Sequence, residues 1–227
     1  PDQDFFQNSS PRSFTKTSKD IHFQNYEIIQ DSYTPLENVF VECFSDFIDL
    51  TEQKLSKVIL LKTHQNHHNI HIDFTSGEET QGFTQRSFGR TALVPLETKE
   101  VSTIGEDSDL FPNNYTVFMN QWYFGPKRFF CFGKEKDEDG LELTYDDGFF
   151  YTLADGPEIS RDFHKKHSPH LPFQYFTKFS FDCFYYWKLG TAGIWDRAHV
   201  HCGNDFKASG IQSKAYALFL TEKISCY

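Results

Sequence analysis

The chain has 227 residues, long enough for one large or two small domains, and a single all-β domain of this size is ordinary. With 26 Phe, aromatics at 18% and a single Met, the core must be stiff and ring-rich, a composition that favours strands over helices. A formal net charge of -10 argues against nucleic acid as a partner, because a phosphate-binding face needs clustered Lys and Arg to displace counterions.

In chain order, residues 1–19 are polar and read as a flexible arm, leaving 20–227 as one β-rich domain. Ile21 to Gln30 has a mixed pattern that suits a strand or a short helix, and Val39 to Leu50 alternates imperfectly and reads as the first strand. Lys57 to Thr63 and Asn69 to Thr75 follow as short strands around the polar bend His64 to His68. Phe83 to Leu96 makes another, bulged at Gly89 and stopped near Pro95. Glu97 to Pro112 is acidic, punctuated by Gly and Pro, and reads as an exposed loop.

Tyr115 to Gly156 organises the rest. Four runs of aromatic and β-branched residues are separated by Gly125-Pro126-Lys127, the charged run Lys134 to Gly140, and Asp146-Asp147-Gly148, which predicts an antiparallel meander. Glu158 to Pro172 suits a loop with at most one helical turn. Phe173 to Leu189 predicts one long strand with an apolar face running from Phe173 to Trp187. Ala198 to Cys202 and Ser213 to Ile224 complete the strand set, the latter with some helical character.

The predicted fold is all-β, an antiparallel meander closing into a barrel or a two-sheet β-sandwich. The consecutive antiparallel strands resemble the architecture of lipocalins, and Cys226 near the C-terminus is placed to tether the tail to a barrel. That resemblance is confined to architecture, since the G-x-W signature expected near the first strand is missing.

Five cysteines, Cys43, Cys131, Cys183, Cys202 and Cys226, are too widely spaced for zinc knuckles or a C-x-x-C redox site. They read as long-range staples, with Cys131–Cys226 and Cys183–Cys202 as trial pairings among fifteen arrangements. Two sequons, at Asn8 and Asn114, add to the expectation of a secreted, glycosylated extracellular protein. No run of about 18 apolar residues is available to span a bilayer, and with no signal peptide visible a secreted protein would be seen here in its mature or a trimmed form.

Three kinds of chemistry compete. Trp122, Phe124, Phe149, Tyr151, Tyr185 and Trp187 exceed what one sheet face needs, pointing to an aromatic-lined cavity for a small apolar or amine ligand, or to a sheet face that docks an extracellular protein. Both readings are non-enzymatic and need no cofactor. The third rests on histidines. His67, His71 and Asp73 lie in H-Q-N-H-H-N-I-H-I-D, and His199 and His201 lie in H-V-H-C. On strands, His71-x-Asp73 and His199-x-His201 each send two ligand groups to one side, so the two stretches together would make a metal site if folding brings them together. The bland alternative is a polar bend and a strand whose Cys202 is consumed in a disulfide. Acidic residues such as Asp137, Glu138, Asp139, Asp146 and Asp147 cluster in turns, where solvation explains them. No G-x-S-x-G elbow is present.

Overall fold

The β-branched and aromatic runs of this chain fold as antiparallel sheet, with few helices. A computed structural model describes residues 26–31, 34–64, 70–73, 88–100, 114–124, 133–136, 140–143, 149–152 and 156–224. In it, β1 (Tyr26–Asp31), β2 (Gln53–Thr63), β3 (Phe88–Glu100), β9 (Gly193–Asp196) and β11 (Ile211–Lys223) form one sheet in the order β1-β2-β11-β3-β9. A second sheet is centred on β4 (Tyr115–Phe124). β10 (His199–Gly203) lies along one edge of β4, while β7 (Phe149–Thr152) and β8 (Phe181–Tyr186) pair with different stretches of it. Among the described residues neither sheet closes on itself to make a barrel.

The two sheets share an apolar filling. On β11, Tyr216 joins Leu93, Phe118, Trp187 and Trp195 in one cluster that draws on both sheets. Alternation then sends Ala217 and Phe219 to the opposite face of β11, where α1 (Thr34–Phe44) covers them. The same rule on β4 sends Phe118 inward and Tyr115, Val117 and Met119 outward, against Ile159, Leu171, Tyr175 and Phe176. These last residues come from the segment around α2 (Arg161–His167) and a 3-10 turn, Phe173–Phe176. Ser160 caps α2 by accepting from the backbone N–H of Phe163 at 3.1 Å.

Several sequence expectations change here. Thr34–Phe44 is a helix where Val39 to Leu50 was expected to be a strand. Phe40, Phe44 and, in the turn after the helix, Ile48 are buried at a spacing of four while Val39, Val41, Glu42 and Asp46 are exposed. Alternation would have put Glu42 and Asp46 on the same face as the three apolar side chains, whereas the helical period turns Glu42 away from Phe40 and Phe44, which pack on Phe219. Strand β3 runs through Pro95 instead of stopping there. β9 ends its pairing at Leu93–Gly193, so the missing N–H of Pro95 leaves no partner wanting on that side, and the register with β11 shifts at this point.

Three runs of the expected meander are strands, with different partners; the run before Gly133 lies outside the described residues, and a strand stands in part of the charged stretch Lys134 to Gly140 expected as a turn. β4 pairs with β7, Trp122 opposite Tyr151 and Tyr123 opposite Phe150, while β5 (Gly133–Lys136) and β6 (Gly140–Leu143) pair with each other as a separate ribbon. Two aromatic strands match each other better than either matches the charged hairpin between them. The expected long strand from Phe173 to Leu189 is reduced to β8, because Phe173–Phe176 is a 3-10 turn that packs the adjacent Tyr175 and Phe176 together into the outer cluster. The arm at residues 1–19, Asn8, Cys131 and Cys226 lie outside the described residues.

Cys183 and Cys202 are free thiols and do not form the trial pair. They flank β4 on opposite sides, Cys183 across from Phe118 and Cys202 across from Val117, so they are two strands (about 9–10 Å) apart and point to opposite faces. The Asn114 sequon is likewise turned inward: its side chain is buried at 3% exposure and is not presented for a glycan.

Two measurements test this architecture. Phe40→Ala should cost about 3–5 kcal/mol in urea unfolding, whereas Glu42→Ala on the exposed face should stay within about 0.5 kcal/mol; a strand would put positions 40 and 42 on one face and would not give that contrast. The second concerns acid. Burial, and to a smaller degree Lys166, hold the His167 imidazole below its ordinary range, while its Nδ1 sits 3.0 Å from the Tyr115 hydroxyl. Above about pH 6.5 both folded and unfolded states carry it neutral. As the pH falls the unfolded chain takes up the proton first, so stability drops with acid. His167→Gln should lose less melting temperature than the parent between about pH 7.5 and about pH 5.5.

Candidate metal centre

The 70–73 segment enters the fold by a single rung. His71 and His201 exchange backbone hydrogen bonds, each N–H donating to the other's carbonyl at 2.9 Å, as an isolated antiparallel bridge beside β10. Ile70 and Ile72 point to the outer cluster with Val200 and Cys202, which turns His71 and His201 the other way. Arg197, in the turn between β9 and β10, pins the same segment. Its backbone carbonyl accepts from the Asp73 N–H at 2.9 Å, its Nε donates to the Asp73 carbonyl at 2.9 Å, and its Nη1 donates to the Thr221 carbonyl at 3.1 Å.

His71, Asp73 and His201 thereby converge, with one ligand atom of each lying within 4.8 Å of the others. Asp73 Oδ1 is 3.6 Å from His201 Nε2 and 3.9 Å from His71 Nε2. Those separations are too long for N–H···O hydrogen bonds. They are close to the roughly 3–3.5 Å expected between two ligand atoms that share one ion at bonds of about 2.0–2.2 Å.

The groups behind the ligands fix what each presents. Asp73 Oδ2 accepts from Thr91 Oγ1 at 2.8 Å and from Trp195 Nε1 at 2.7 Å, so the other oxygen is left for the imidazoles. Burial opposes the charge on Asp73, but His201, His71 and these two donors outweigh it and hold the carboxyl below its ordinary range. His201 Nδ1 lies 2.8 Å from the His199 carbonyl, a partner that can only accept, so Nδ1 carries the hydrogen. Burial pulls the His201 imidazole down to about 4 despite the pull of Asp73, so it is neutral near pH 7 and its Nε2 is a bare lone pair.

A lone pair and a carboxylate oxygen therefore face each other with no proton between them. This arrangement calls for a cation. An imidazole whose other nitrogen is tied to a carbonyl, next to a carboxylate whose other oxygen is tied to two donors, is the pattern by which proteins orient metal ligands.

The remaining sequence candidates are placed elsewhere. His199 shares β10 with His201, but a register shift separates them. The His199 ring stacks on Trp122 at 4.2 Å, and its Nε2 sits 2.7 Å from the Met119 carbonyl and 3.5 Å from Asp182 Oδ2. His67 lies outside the described residues. Of the aromatic set, Trp187 belongs to the filling between the sheets, with its Nε1 donating to Thr116 Oγ1 at 3.0 Å. Tyr185 packs near Trp195. Trp122 lies roughly 20 Å from Thr116 along β4, and Tyr151 opposite it is 52% exposed. The side chains of Phe124 and Phe149 fall outside the description, though their backbones pair.

Thr91, Trp195 and Arg197 were not singled out by sequence. Nothing local marks them, because each acts on Asp73 from a distant strand or turn. Comparison with protein-family models, with curated protein sequences and with solved structures finds no match.

Trp195→Phe keeps the ring against Phe118 and removes one of the two donors to a buried carboxylate. It should cost about 1.5–3 kcal/mol in urea unfolding measured with excess chelator. A value near zero would mean that Asp73 does not carry its charge in the folded state.

Proposed function

We propose that His71, Asp73 and His201 hold one divalent transition metal and that the protein is a mononuclear metal enzyme. Iron(II) is the first choice of metal and dioxygen-dependent oxidation of a small organic substrate the first choice of reaction. The observation that carries this reading is the His201 lone pair aimed at the Asp73 carboxylate, with both groups locked from behind. Two imidazoles and one carboxylate on one side of an ion leave further coordination positions open, the donor set associated with non-haem iron(II) oxygenases. Iron(II) bound there would supply those open positions and a one-electron redox couple.

The chain's own residues would do the rest. Thr91 and Trp195 keep Asp73 ionised and oriented, the His199 carbonyl keeps His201 in its metal-binding tautomer, and Arg197 holds the short 70–73 segment in register. The rings of Phe118 and Trp195, which pack against His201, exclude water from one side of the site.

The strand order supports a double-sheet jelly roll over an up-and-down barrel. With the His71 rung included, β2, β3, β9 and β11 lie in one sheet, and the rung, β4, β8 and β10 in the other. In chain order these eight elements alternate between the sheets except at β4 and β8, which follow each other and pair within one sheet, the order that two Greek keys of a jelly roll give. On this reading the ligands stand on the inner face of the second sheet, directed at the space between the layers.

Protein purified under nitrogen, stripped with chelator and titrated with iron(II), manganese(II) or zinc(II) should bind one equivalent. Asp73→Ala and His201→Ala should each weaken binding by about 100-fold or more, beyond the roughly 10–100-fold that loss of a supporting group costs. Nitric oxide added to the iron(II) form should give the EPR signal of a high-spin iron nitrosyl, reporting an open position. Absence of stoichiometric binding by the parent protein would end the proposal; tight zinc binding with no competition from iron would replace oxidation by hydrolysis.

A further inference from the structure

A second anomaly lies between the sheets, on the β11 face that carries Tyr216. Lys214 is 2% exposed, and among the described residues no carboxylate pairs with it. Its Nζ donates to Asn114 Oδ1 at 3.3 Å and otherwise rests against rings, 3.9 Å from the Trp187 centroid and 4.7 Å from that of Phe206. An ammonium has three donors, and only one meets an oxygen here. Aromatic faces soften the burial of a cation without accepting its remaining hydrogens as an oxygen would.

Asn114 adds to the imbalance. Because Lys214 donates to its Oδ1, its Nδ2 must be the outward-facing half of the amide, and that nitrogen is buried with no acceptor. The peptide that follows Asn114 is fixed through both of its polar groups, the Asn114 carbonyl accepting from the Trp187 N–H at 2.8 Å and the Tyr115 N–H donating to Asn204 Oδ1 at 3.1 Å. Buried polar groups left unsatisfied are rare and expensive, and two neighbouring donors with hydrogens to spare specify an acceptor-only ligand.

We propose that Lys214 and Asn114 form a binding site for the carboxylate of a small organic acid. A carboxylate offers two oxygens, one for the ammonium and one for the amide N–H, and its charge balances the buried cation. Burial alone pulls the Lys214 amine down to about 7, as expected for a cation whose counter-charge is missing from its surroundings. The site needs no metal and stands or falls separately from the centre at His71, Asp73 and His201.

The experiment is thermal unfolding in chelator at pH 6.5, with sodium acetate, sodium succinate or sodium phosphate compared against sodium chloride at equal ionic strength. Acetate or succinate should raise the melting temperature saturably, by about 5–10 °C at about 100 times Kd. Lys214→Met should fold with an equal or higher melting temperature in chloride and show no carboxylate response, since an apolar side chain of similar length removes the buried charge. Asn114→Asp places a carboxylate beside the ammonium from within the chain. It should raise the melting temperature in chloride and abolish the response, which keeps the test decisive if Lys214→Met fails to fold. No carboxylate response in the parent protein, a response to phosphate alone, or an undiminished response in either variant would overturn the proposal.

Discussion

The inner face of this molecule depends on one rung of backbone pairing, between His71 and His201. A bridge of two hydrogen bonds is worth little by itself, on the order of 1 kcal/mol per bond. It is made dependable by Arg197, whose side chain and backbone grip Asp73 while reaching Thr221 in the facing sheet. Because side chains alternate along extended backbone, this rung also decides orientation. With Ile70 and Ile72 committed to an apolar cluster, His71 has only the inner side left, and slipping by one residue would exchange the isoleucines for His71 and Asp73.

The layers around that face explain why polar groups survive inside. One sheet is covered on its outside by Phe40, Phe44 and Ile48, and the other by Leu171, Tyr175 and Phe176, so each sheet has an apolar layer on its outer face besides the filling between them. The inner surface can then carry His71, Asp73, His201, Lys214 and Asn114 among the rings of Phe118, Trp187, Trp195 and Tyr216. Low surrounding polarity sharpens each of these groups. It keeps the His201 imidazole neutral, makes the Asp73 carboxylate dependent on named donors, and leaves the Lys214 ammonium short of a counter-charge.

Part of the site was legible before folding. His71-x-Asp73 and His199-x-His201 stand out as ligand-bearing residues at a spacing that strands convert into a common direction. Their meeting was not legible, since it depends on the rung. The reading of His199 and His201 as a pair failed for a local reason: the register shift between them leaves His201 at the cluster and hands His199 to Trp122 and the Met119 carbonyl. The aromatic surplus was equally visible and less informative. Rings fill a core, stack on histidine or stand exposed with the same letters, and Trp187, Trp122 and Tyr151 do one each.

Sequence by itself determined the sheet-rich class, because β-branched and aromatic runs bounded by Gly, Pro and Asp have few other ways to bury their side chains. It also marked His71, Asp73 and His201, together with His67 and His199, as side chains of metal-ligating type. The tertiary structure alone decided that Phe40 and Phe44 lie on a helix, that β7 returns to β4, that Cys183 and Cys202 stand on opposite faces, and that His71, Asp73 and His201 converge. The physical reason is common to all four. Period and propensity act over a few residues, whereas pairing partners, face and register are chosen by which distant surfaces can be buried together.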